Sequence, residues 1–338
     1  MIFCGKLKAV PLIVSTKGGF RMQHKMILDL DTGIDDALAM AYALGSPEVD
    51  LIGITSEYGN VLTKRSVLNS QQLLNLLKQP TVPVYQGASH ALNKSDFTVL
   101  PISAEIHGQD GIGDIGLQAP VPATEKQSAV DFMLAACQQY GADLTIVATG
   151  PMTNLALAIQ KDLSTLKKVG QIVIMGGALT VAGNVSPFAE ANINQDPEAA
   201  DILFKSGLPV TMVGLDVTLR TLFTKADTAE WRAIGTPAAI NYADMVDYYI
   251  KAYEVTSPHL HGCALHDPLA VAVALDPSLV TTIPLNMTTE LTGPSRGRTI
   301  GDNLRLEDET TRTQVCVQVD TPRFLKAFKA RIGQLLAQ

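Results

Sequence analysis

Four aspartates fall within eight residues in the run Asp29-Leu30-Asp31-Thr32-Gly33-Ile34-Asp35-Asp36. An apolar strand-like stretch leads into them, and an Ala/Leu-rich helical pattern follows from Ala37. The order is strand, turn, helix. Ligand sites in open α/β sheets lie just beyond the carboxyl ends of strands. One Asp there is explained as a helix cap or turn residue. Four carboxylates so close repel one another unless a positive charge sits among them, and a hard cation with oxygen ligands answers that need. A helix-loop-helix calcium loop is excluded. Counted from Asp29, its sixth position is Ile34 instead of Gly and its twelfth is Met40 instead of Glu.

Other stretches carry groups of matching chemistry. His266-Asp267-Pro268 offers a second acid and a histidine able to handle a proton near neutral pH. The same triplet also reads as an Asp N-cap with Pro at the first helical position. In Asn184 to Asn192, Glu190 and Asn192 stand two apart, so in an extended segment they face the same way. With Asn184 they suit the hydroxyls of a polyol such as a ribose. Tyr249 and Tyr253, four apart on a helical pattern, offer either a stacking surface for a planar ring or core packing. A strand end at Thr149-Gly150 and a Gly-rich loop, Ile106 to Gly113 with His107, complete the set. Asp29-Leu30-Asp31-Thr32-Gly33 also resembles the aspartyl-phosphate phosphatase pattern, in which the first Asp attacks phosphorus and Mg²⁺ assists. That reading leaves Asp35 and Asp36 unexplained.

Short apolar runs alternate with helical patterns along the chain. Strands are expected over 49–55, 82–85, 144–148, 172–175 and 210–213, then near 285–291 and 315–319. Helices are expected over 35–44, up to about 78, over 129–140, from 197, between 225 and 276, and from 322. The stretch 88–125 reads as loop. Nearly continuous apolar strands between helices imply an α/β fold, a single domain with a mostly parallel, doubly wound Rossmann-like sheet flanked by helices. Residues 1–25 read as an N-terminal extension and 26–338 as the domain.

The 338 residues, 46% hydrophobic and 17% charged, suffice for a large core. A net charge of −7 with no basic cluster argues against nucleic-acid binding. Cys4, Cys137, Cys263 and Cys316 are scattered without a CxxC pair, as in a reducing, cytoplasmic compartment. No apolar run approaches the ~18 residues of a membrane span.

Taken together, the Asp-rich strand end, Gly59-Asn60, His107-Gly108, Thr149-Gly150 with Thr153-Asn154, Met175-Gly176-Gly177, the Asn184 to Asn192 block and Leu265-His266-Asp267-Pro268 resemble the nucleoside hydrolases, the inosine-uridine-preferring ribohydrolase family. The pieces come in the family order from about residue 26 to the C-terminus. The resemblance implies the nucleoside hydrolase fold and hydrolysis of ribonucleosides to ribose and free base, as in nucleoside salvage. It implies Ca²⁺ held by Asp31, Asp36, Asp267 and the Thr149 carbonyl, with Asp31 the base on the attacking water. Asp35, Asn60, Asn184, Glu190 and Asn192 would hold ribose hydroxyls, and Met175 would line the sugar. His266 would protonate the leaving base, which favours pyrimidine or broad specificity, and His107 would sit by that base. A homodimer or homotetramer is implied as well. Two residues depart from many members: Thr32 stands where Pro is common, and Ala191 where Phe is common.

Overall fold

The structure, a computed structural model, describes residues 24–118 and 124–338. The extension expected over 1–25 lies outside the described residues except for His24 and Lys25, which open the first strand. The strands in chain order are β1 (His24–Leu30), β2 (Val49–Ser56), β3 (Val84–Gln86), β4 (Leu144–Ala148), β5 (Gln171–Met175), β6 (Val210–Val213), β7 (Leu222–Phe223), β8 (Cys263–Ala264), β9 (Val280–Thr289), β10 (Thr299–Gly301) and β11 (Arg312–Val319). Nine of them form one sheet in the order β10-β9-β11-β6-β5-β4-β1-β2-β3, and β7 pairs with β8 separately. From β11 to β3 the neighbours are parallel, while β9 runs antiparallel to both β11 and β10.

The topology itself places the site. From β1 the chain winds outward through β2 and β3, then returns to the other side of β1 for β4, β5 and β6. The strand order reverses between β1 and β4, and the crevice at such a switch point is where open α/β sheets bind ligands. Register aligns the strand ends there. Asp29 pairs with Ala148 of β4 and Thr55 of β2, and Ala148 pairs with Ile174 of β5. Asp31, Thr149, Met175 and the Glu57–Asn60 turn therefore leave the sheet side by side.

Both sheet faces are buried, as a parallel sheet requires. In β1, Met26, Leu28 and Leu30 join the cluster on one face, while Ile27 joins the other. In β4, Val147 faces the first cluster, and Leu144, Ile146 and Ala148 face the second. Helices Ile34–Leu44 and His266–Leu275 pack against each other. They are buried almost all round and rich in small residues (Ala37, Ala39, Ala41, Ala43; Ala270, Ala272, Ala274), which lets their N-terminal ends converge on one spot.

Three local expectations change. The loop expected over 88–125 contains a helix, Pro101–His107, with Pro101 at its first turn and Gly108 at φ +84° ending it. Residues 191–195 are helical, so Glu190 and Asn192 do not share an extended face. The Glu190 carboxylate instead accepts the N–H groups of Asn192 and Ile193, and this cap stabilises the helical turn over the extended form. Lastly, the helix expected to be capped by Asp267 starts earlier, at His266, after Leu265. The first four N–H groups of a helix have no partner within it, so Pro268 is tolerated in the first turn and Asp267 is released from capping.

Candidate active site

The carboxyl ends of β1, β4 and β5 floor a cavity of about 410 Å³. Asp35, Thr149 and Asp267 line it, along with Asn60, Met175, Asn184, Glu190, Asn192, His107, Tyr249, Tyr253 and His266. Asp31 and Asp36, fully buried, lie behind Asn60 and Thr149 and are hydrogen-bonded to them. Every residue singled out from the sequence thus gathers at one place.

The acids are held by backbone, amide and hydroxyl donors. Asp31 Oδ2 accepts the Asn60 N–H at 2.6 Å, and its Oδ1 accepts the Asn60 side-chain amide at 3.2 Å. Asp36 Oδ2 accepts the Gly33 N–H at 2.8 Å, and its Oδ1 accepts the Thr149 hydroxyl at 2.7 Å. Tyr249 donates to Asp35 Oδ2 at 3.4 Å, while Asp35 Oδ1 is buried without a hydrogen-bond partner. One oxygen each of Asp35, Asp36 and Asp267 lies within 4.8 Å of the others. Among the described residues, no Lys or Arg lines the cavity. Burial therefore pushes Asp35 and Asp36 up to about 6, with the Asp35 charge adding to the rise at Asp36. Asp31 and Asp267 are pushed well above the usual carboxylate range, by burial first and then by their acidic neighbours. Asp35, Asp36 and Asp267 all sit in the first turns of two converging helices, whose N-terminal dipoles favour anions.

This donor set fits a hard divalent cation. It offers only oxygens, one of them orphaned and buried, and an uncompensated cluster of acids. Asn192 donates its amide to the Thr149 carbonyl at 2.6 Å and the Met175 carbonyl at 3.1 Å, tying β4 to β5. A carbonyl oxygen has two lone pairs, so Thr149 keeps one for an ion.

Asp29 is built differently. Its Oδ1 accepts from Thr55 at 2.7 Å and Asn154 at 2.8 Å, and burial raises its pKa to about 7. These bonds brace the sheet behind the site.

The same cavity is also lined by aromatic and imidazole rings. His266 Nε2 is 2.7 Å from the Tyr253 hydroxyl, and its Nδ1 is 2.8 Å from the Thr218 hydroxyl. Burial first, and His107 second, lower the His266 pKa to about 4, so its ring is neutral at pH 7. Burial also lowers His107 to about 4. His107 Nδ1 accepts the Ile34 N–H at 3.2 Å, which leaves the proton on Nε2. Its ring stacks on Tyr249 with centroids 5.4 Å apart, and Tyr249 meets Tyr253 edge-on. Thr218 has no local signature in the sequence, since it reaches His266 from a short helix 48 positions earlier. The Pro101–His107 helix carried a faint one, a Pro followed by Ile102 and Ile106 at helical spacing.

Gly59 is where the chain can least afford a side chain. It has φ +154°, and a Cβ there would lie 2.0 Å from Asp31 Oδ2. Gly59→Ala is expected to displace Asp31 and cut turnover by about a hundredfold, the scale set by a ~1 Å misplacement of a reacting group. Steady-state kinetics beside circular dichroism checks this, and near-native turnover in a folded variant would show that Asp31 has slack.

Comparison with known proteins agrees with this geometry. The inosine-uridine preferring nucleoside hydrolase family matches residues 26–326. The pyrimidine-specific ribonucleoside hydrolase RihA of Enterobacter sp. (strain 638) is 37% identical over 314 residues, covering 93% of this chain and 99% of that one. The probable uridine nucleosidase 2 of Arabidopsis thaliana is 38% identical, over 92% and 98% of the two chains. Among solved structures, the purine-preferring ribonucleoside hydrolase from Gardnerella vaginalis superposes with a TM-score of 0.91 at 58% identity, over 93% of this chain and 99% of that one. Sequence, fold and site together show that this chain belongs to the inosine-uridine preferring nucleoside hydrolase family, enzymes that cleave N-glycosyl bonds.

Proposed function

We propose that this chain is a Ca²⁺-dependent ribohydrolase acting on both purine and pyrimidine ribonucleosides. The carrying observation is the pairing of Tyr253 with His266 in the same cavity as the buried acids. Hydrolysis of an N-glycosidic bond passes through a ribosyl cation, so it needs a base on one face of the sugar and an acid on the other. In this reading Asp31 is the base and the Tyr253–His266 pair the acid.

Asp31, Asp36, Asp267 and the Thr149 carbonyl would hold the ion, which would supply Lewis acidity at the ribose diol and the attacking water. Asp31, kept in line by Asn60, takes the proton from that water. Asp35, Asn60 and Asn192 hold the sugar hydroxyls, and Met175 packs beneath the ring. On the far face, the Nε2–H tautomer of His266 donates to the Tyr253 oxygen and accepts from Thr218. The Tyr253 hydroxyl proton is then free for the departing base, and His266 replaces it. His107 presents its Nε2–H beside the base, and Tyr249 offers a ring face. The relatives' names point to pyrimidine specificity in one set and purine preference in another. An aromatic wall, which every base can stack on, supports breadth. Assembly as a homodimer or homotetramer in the cytoplasm belongs to the same reading.

A phosphatase reading is disfavoured. Among the described residues the cavity lining holds no Lys or Arg to receive a phosphate, and the would-be nucleophile Asp29 is bound to Thr55 and Asn154. The test is ribose release from uridine, cytidine, inosine, adenosine and 2′-deoxyuridine. Release from all four ribonucleosides is expected, with 2′-deoxyuridine slower by about a hundredfold or more for want of one hydroxyl at a site built to bind it. Equal cleavage of uridine and its deoxy form would refute the diol-binding site. Tight binding of all five without turnover would instead mark a nucleoside-binding protein.

A further inference from the structure

The two ends of a bound ribonucleoside meet different walls. With the diol at the acids and the base against Tyr249, Tyr253 and His266, the C4′ side of the furanose must point away from the base. There the lining is Asn184, Glu190 and the apolar residues Ala182, Val185 and Ala191.

The polar atoms of this wall are largely committed. Glu190 Oε1 accepts the Asn192 N–H at 2.8 Å, and its Oε2 accepts the N–H groups of Gly177 at 2.9 Å and Ile193 at 3.1 Å. A carboxylate has about four acceptor sites, so about one remains. Asn184 Oδ1 is engaged by the Ala191 N–H at 3.0 Å. The loop is also fixed in shape. Gly183, Asn184 and Val185 bond through their backbones to Pro187 and Ala189, and Ser186 Oγ accepts the N–H groups of Phe188 and Ala189. A Cβ on Gly183 would meet Ala189 backbone atoms at 2.2 Å. Val185 and Phe188 remain 37% exposed at the rim. The wall is thus preformed, apolar apart from Asn184 and Glu190, without Lys or Arg among the described residues, and small at Ala191.

On the strength of the hydrolase reading, we infer that this enzyme also hydrolyses 5′-deoxy-5′-alkylthio ribonucleosides, with the 5′ substituent seated against Ala182, Val185 and Ala191. Water adds its oxygen to C1′, the C1′–N bond breaks, and the base leaves with a proton. The thioether stays on the released sugar, and no redox partner is needed. A 5′-phosphate, by contrast, finds no Lys or Arg in this wall among the described residues.

The experiment is kcat/KM for inosine, 5′-deoxy-5′-methylthioinosine and inosine 5′-monophosphate, on the native enzyme and on Ala191→Phe and Val185→Lys. The methylthio substrate is expected within about tenfold of inosine, the scale of one small group in an apolar pocket. The monophosphate is expected at least about a hundredfold below inosine, because its charge would be unpaired. In Ala191→Phe the ratio of methylthio to parent kcat/KM should fall about tenfold or more from overpacking. In Val185→Lys, which puts a cation into the proposed 5′ wall, the monophosphate-to-parent ratio should rise. Rapid cleavage of inosine with the methylthio form slowed a hundredfold would overturn the inference and leave the hydrolase reading intact. An unchanged ratio in both variants would overturn the placement of the 5′ wall. Failure to cleave any of the three would defeat the hydrolase reading and this inference together.

Discussion

Asp31→Asn should lower ribose release from uridine and inosine about a thousandfold, within the range for loss of a general base at a metal-assisted site. The loss should fall on kcat, because the proposed sugar ligands Asp35, Asn60 and Asn192 are left in place. Asparagine keeps the shape of aspartate but loses its basicity and presents an NH₂ where only acceptors fit. Both Asp31 oxygens face Asn60 donors, the backbone N–H at 2.6 Å and the side-chain amide at 3.2 Å. One of these bonds must therefore break, at about 1–3 kcal/mol. The loss of a buried carboxylate from an acid-rich cluster offsets part of that cost, so the variant should fold. Far-UV circular dichroism establishes folding, and coupled reducing-sugar kinetics measure the rate. Turnover within tenfold of native in a folded Asp31→Asn would remove Asp31 from the base role and leave Asp35 as the next candidate.

Asp31 could be read from the sequence because its position is local. A strand of continuous apolar residues ended in acids, and strand ends are where this fold places ligands. The alternation of strands and helices fixed the sheet class for the same reason, since each element carries its own pattern. What could not be read was set by distant contacts. By spacing alone Glu190 and Asn192 share one face of an extended segment, yet three backbone N–H groups from two segments gather on the Glu190 carboxylate and wind the next residues into helix. His266 was visible, but its partner Thr218 was not, because that pair forms only when two helices pack. His107 was found through its Gly-rich surroundings, while the short helix that delivers it lacked the length for a clear periodicity. The tautomer of His107 depends on a backbone N–H 73 residues away and could come only from the structure.

Removing the divalent ion should abolish turnover and also reverse how stability responds to pH. Without an ion, burial holds Asp35 and Asp36 at about 6 and Asp29 at about 7, all above their unfolded values near 3.8. The native state then binds protons that the unfolded chain has released, so these groups support folding fully below pH ~4 and lose that support as pH rises through 6 to 7. Two units at one carboxylate amount to about 3 kcal/mol. In chelator the melting temperature should therefore drop between pH 5 and 7.5, by on the order of 5 °C for a domain of this size. If Ca²⁺ is the ion, as proposed, it would exchange for those protons and neutralise the cluster, so at 100 times its Kd it should return about 2.7 kcal/mol at pH 7.5. The ion's benefit should shrink toward pH 5, where protons compete for the same oxygens. Differential scanning calorimetry in EGTA and in excess Ca²⁺, at both pH values, reads this directly. Asp36→Asn, which removes one proposed ligand, should blunt the Ca²⁺ response at pH 7.5. A melting temperature indifferent to Ca²⁺ at both pH values, with full activity in EGTA, would mean that the buried acids manage their own charge by sharing protons and that no ion completes the site.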